Sequence, residues 1–103
     1  MAAGLAGLLI SCWNAVAPAA DCAAEAAMLA KEQSELPRLE VASPADRPPY
    51  CITLETVMAF AGRVRTHVAR CPNSDFAASA PDWSSRRNDY ARLFSQYRCK
   101  RTR

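Results

Sequence analysis

Residues 51–71 read CITLETVMAFAGRVRTHVARC, and their spacing decides the fold. Leu54, Val57, Met58, Ala61, Val64 and Val68 recur at steps of three and four, which places them on one face of a helix. Arg63, Thr66 and Arg70 fall on the opposite side. Thr53 reads as the N-cap, and Glu55 as a first-turn acid that the helix dipole favours. Arg70 suits the other end of the dipole, and Cys71-Pro72-Asn73 stops the helix. The pattern predicts a helix over 54–70.

Working upstream, an alanine-rich run over 22–34 has high helix propensity, with Asp21 as its cap and Leu36-Pro37 as its end. Residues 37–50 contain Pro37, Pro44, Pro48 and Pro49, which predicts an extended, polyproline-like connector. Pro48-Pro49-Tyr50 reads as part of that stiff linker rather than as a docking motif. Downstream, 72–82 reads as a loop. Asp82 then caps a third helix over 83–98, striped with Trp83, Tyr90, Leu93, Phe94 and Tyr97. Lys100-Arg101-Thr102-Arg103 is expected to be a frayed basic tail. The fold class is all-α, a small three-helix domain running up-down-up.

A chain of 103 residues supports one domain, and its core alone is marginal. Covalent staples are therefore expected, and the cysteines fit. Residues 1–19 hold no charged residue, Gly4 to Val16 is mostly apolar, and Ala17-Pro18-Ala19 has the small-x-small cleavage form. This predicts a signal peptide over 1–19 and a mature domain over 20–103, periplasmic or secreted. No basic residue precedes the apolar run, so Met1 is read as an internal start. The apolar run is too short for a membrane span of about 20 residues. The rival readings are a buried N-terminal helix, or a lipoprotein in which Leu9-Ile10-Ser11-Cys12 makes Cys12 the lipidated residue.

Removing the signal leaves Cys22, Cys51, Cys71 and Cys99, an even number that reads as two disulfides. Cys51 and Cys71 bracket the central helix and would stand roughly 30 Å apart. A disulfide needs Cα atoms within about 7 Å, so this pair is excluded, and Cys22–Cys99 with it. An up-down-up bundle instead places Cys22 beside Cys71 and Cys51 beside Cys99. The rival, Cys22–Cys51 with Cys71–Cys99, needs the third helix parallel to the second. On an ideal helix Cys99 points away from the Tyr90 face, so the third helix must end by Arg98 or the bond must form off to one side.

The chemistry is sparse. No Cys pair has zinc spacing, and His67 is the only histidine. There is no glycine-rich phosphate loop and no nucleophile-elbow serine. His67 reads as a partly exposed flank residue, and Glu25 and Glu32 as a solvated face. No metal, cofactor or catalytic residue is expected. Charge is asymmetric: residues 20–50 carry net −3 and residues 84–103 net +6. Arg86, Arg87, Arg92, Arg98, Lys100, Arg101 and Arg103 form the candidate surface for an anionic partner. Export disfavours nucleic acid. The resulting expectation is a small exported, non-enzymatic protein-binding module with a partner in the envelope. The alternative is an envelope-associated cationic protein that docks on anionic lipid or polymer through its Arg-rich end. A small hydrolase using His67 is a distant third.

Overall fold

The computed structural model describes residues 18–39 and 43–101; most of the expected signal segment, with Cys12, and Arg103 lie outside them. The described residues form three α-helices and no strand: α1 (Ala19–Ser34), α2 (Arg47–Arg70) and α3 (Phe76–Gln96). Neighbours run antiparallel. Cys22 at the start of α1 meets Cys71 just past α2, while Glu32 near the end of α1 meets Arg63. Tyr50 at the start of α2 meets Tyr97 past the end of α3, while His67 meets Phe76. This is the expected up-down-up order.

Burial explains the arrangement. Val57, Phe60, Ala61 and Val64 of α2 form one core with Phe76 and Trp83 of α3 and Leu29 of α1. Phe60 and Trp83 pack edge to face with ring centres 4.8 Å apart, and Tyr50 and Tyr97 do so at 5.1 Å. Phe76, Trp83, Tyr90 and Tyr97 stand seven residues apart, so a single ridge of aromatic side chains runs down α3 onto α2. By contrast, α1 gives the core one fully buried side chain, Leu29, with Ala26 and Leu36 at its edge.

Both expected disulfides form, Cys22–Cys71 with Cα atoms 5.8 Å apart and Cys51–Cys99 with 5.5 Å. The direction of Cys99 is resolved by how α3 ends. Arg98 takes a positive φ of 55°. The Cys99 N–H reaches the Phe94 carbonyl and the Arg98 N–H reaches that of Ser95, which is a Schellman turn. The helix therefore stops at Gln96 rather than 98, and the turn swings Cys99 round to Cys51.

Several expected boundaries need correction. The connector does not extend to 50: Arg47-Pro48-Pro49-Tyr50 is the first turn of α2, with Asp46 at the N-cap position. A proline there sacrifices only an N–H that has no intrahelical partner anyway. Thr53 is thus no cap but a buried residue inside α2, and Glu55 lies beyond the first turn. The expected loop over 72–82 is mostly helix, because α3 starts at Phe76 and carries Pro81 inside it. That proline costs one backbone bond, but burial of Phe76 and Trp83 on either side holds the turn in place. Asp82 is consequently internal, and Asp75 precedes the helix. At the start of α1, Pro18 takes the N-cap position, and Asp21 sits in the first turn, where the dipole favours it.

Candidate functional site

The end of the bundle beneath Cys22–Cys71 gathers most of the chemistry. His67, in the last turn of α2, is 2 % exposed, not the partly exposed flank residue expected from its helix position. Antiparallel docking of α1 lays Glu25 against it. Its Nδ1 lies 2.6 Å from Glu25 Oε1 and its Nε2 lies 2.7 Å from Ser74 Oγ. A carboxylate only accepts, so Nδ1 carries a proton; in the neutral ring Nε2 is then the acceptor and the Ser74 hydroxyl donates. The second Glu25 oxygen accepts from Arg70 Nη1 at 2.9 Å. Ser74 Oγ also accepts from the Phe76 N–H at 3.3 Å, and so helps start α3. The imidazole packs edge-on against Phe76.

The electrostatics are consistent with this. The hydrogen bond from His67 holds the Glu25 carboxyl below its ordinary value of 4.5, helped by Arg70 and opposed by partial desolvation. Among the described residues no buried side-chain polar atom lacks a partner. Glu25, His67 and Cys71 offer donor atoms within 4.8 Å of one another. The Cys71 sulfur is bonded to Cys22, however, and is no thiolate ligand in this form. Beside Ser74 opens a recess of about 340 Å³, walled by Ala19, Ala23 and Ala26 of α1, by Pro72, and by Asp75 at its rim.

The basic segment expected to form one surface is divided by the helix. Arg86 lies over the Trp83 ring at 4.7 Å. Arg92 pairs with Asp89 one turn away. Arg87 and Arg101 join Asn88 and Arg63 along a groove of about 650 Å³ between α2 and α3, which Glu55 also lines. Arg63 is itself held by Glu32 of α1. Arg98 and Lys100 meet Arg47 around the Cys51–Cys99 end. Arg103 lies outside the described residues.

Among the described residues no helix is long and apolar enough to cross a membrane. Compared with protein-family models, with curated proteins and with solved structures, the chain matches none, so its site is read from its own geometry.

Proposed function

We propose that the chain is a small exported binding module of the periplasm or the secreted fraction, and that it takes an acidic group of a protein partner in the groove between α2 and α3. The observation that carries this reading is the convergence of Arg63, Arg87 and Arg101 with Asn88 on one concave surface. Guanidinium groups bind carboxylates in a planar, two-bonded geometry; Glu32 already holds Arg63 and Glu55 also lines the groove, so Arg87 and Arg101 are the pair that supports an acidic partner. The two disulfides suit an oxidising compartment. Amide chemical shifts titrated with a hexaglutamate peptide at physiological salt test the groove. Shifts should cluster on α2 and α3 facing residues 87–101, and Arg87→Ala/Arg101→Ala should weaken binding at least about tenfold. Absence of shifts, or unchanged affinity in the double variant, refutes it. Intact mass of the protein recovered from cells tests export through the mature N-terminus.

A second reading has its own observation. At the Cys51–Cys99 end, Arg47, Arg98 and Lys100 surround Ile52, an apolar side chain 53 % exposed. Such a tip suits an anionic lipid or polymer surface. Co-sedimentation with phosphatidylglycerol vesicles that disappears as salt rises would favour this tip over the groove.

A further inference from the structure

We propose that Glu25, His67 and Ser74 form a hydrolytic triad that cleaves esters of short, uncharged acyl groups. The proposal goes beyond the binding role and does not depend on it. Three observations combine. The nucleophile, base and orienting acid are joined by contacts of 2.7 Å and 2.6 Å in the required sequence of atoms: Ser74 Oγ, His67 Nε2, His67 Nδ1, Glu25 Oε1. The base is almost fully buried, whereas Ser74 is half-buried and lines the recess. The recess is walled by alanine methyl groups and a proline ring, so it accommodates a short apolar acyl chain.

The reaction closes without a cofactor. Ser74 Oγ attacks the acyl carbon while its proton passes to His67 Nε2. The tetrahedral adduct collapses, the bond to the alcohol oxygen breaks, and the alcohol leaves with that proton. Water, deprotonated by His67, then attacks acyl-Ser74 and releases the acid, returning the proton to Oγ. Glu25 accepts from Nδ1 throughout and faces the imidazolium when it forms, while Arg70 fixes the carboxylate from its other side. The N–H of Asp75, the residue after the nucleophile, makes no hydrogen bond among the described residues and is assigned here to the developing oxyanion. The exposed Asp75 carboxylate at the rim disfavours anionic acyl groups.

The test uses the full, oxidised chain with p-nitrophenyl acetate and, separately, a fluorophosphonate probe. Wild type should acetylate at Ser74, located by peptide mass, and Ser74→Ala should lower kcat/KM about a thousandfold. Glu25→Gln, a change in a positioning residue, should lower kcat and leave KM in place. Asp75→Asn should raise the rate several-fold by removing charge beside the oxyanion. Circular dichroism of each variant establishes that it is folded. A Ser74→Ala protein that turns over ester at the wild-type rate, or acyl and phosphonyl groups found anywhere but Ser74, overturns the proposal and leaves the three residues as a lock between helices.

Discussion

Replacing Cys22 and Cys71 together by serine should release α1 while leaving α2 and α3 paired. The magnitude follows from the packing. The disulfide spans 49 residues of sequence, and closing a loop of that length constrains the unfolded chain by about 4 kcal/mol. Against this, α1 buries only Leu29 fully, worth about 2 kcal/mol. Its ion pairs to Arg63 and Arg70 are half exposed and contribute below about 1 kcal/mol each, and the Glu25 bond to the buried His67 adds about 1–3 kcal/mol. Ordering the helix costs backbone entropy of a size that these contacts do not offset by themselves. Hydrogen exchange on the oxidised double variant reads the outcome residue by residue. Amides over 19–34 should lose protection, while those over 50–70 and 76–96 keep most of theirs. The companion change, Cys51→Ser with Cys99→Ser, should instead lower global stability to denaturant by about 4 kcal/mol, since that bond fastens the two helices that hold most of the core. Uniform loss of protection in the first variant, or an α1 that stays fully protected, would refute the reasoning.

Three further outcomes are expected. Phe60→Ala, at a side chain with no exposure packed on Trp83, should cost about 3–5 kcal/mol in urea unfolding. Gly62→Ala should add about 1 kcal/mol, because a methyl group at that position meets nothing within 4 Å and alanine favours the helix. The lowered Glu25 value implies stability that is present above pH 4.5 and fades as acid protonates the carboxylate in the folded protein. In thermal melts, Glu25→Gln should therefore be less stable than wild type near neutrality, with the two curves converging at low pH.

Part of the fold was legible because helical periodicity is local. Leu54, Val57, Ala61 and Val64 announced α2, and its length excluded a Cys51–Cys71 bond, which left two pairings; short connections favoured the up-down-up order and with it Cys22–Cys71 and Cys51–Cys99, the pairing the structure has. Other features were written in the chain but overridden by stronger local signals. Pro48 and Pro49 read as connector although prolines suit a first helical turn, and Pro81 masked the seven-residue spacing from Phe76 to Tyr97.

The site itself had one overlooked signal. If Cys22 faces Cys71 in antiparallel helices, Glu25, one turn on, must lie near His67, one turn back. Helix number and the exclusion of a Cys51–Cys71 bond are thus properties of the sequence, set by reach and periodicity, while the choice between the two remaining pairings is made by how the helices dock. The burial of His67, the approach of Ser74 across the turn at Cys71, and the division of the arginines among separate surfaces exist only after packing. Distances between side chains 42 residues apart depend on how whole helices dock, and no local spacing encodes that.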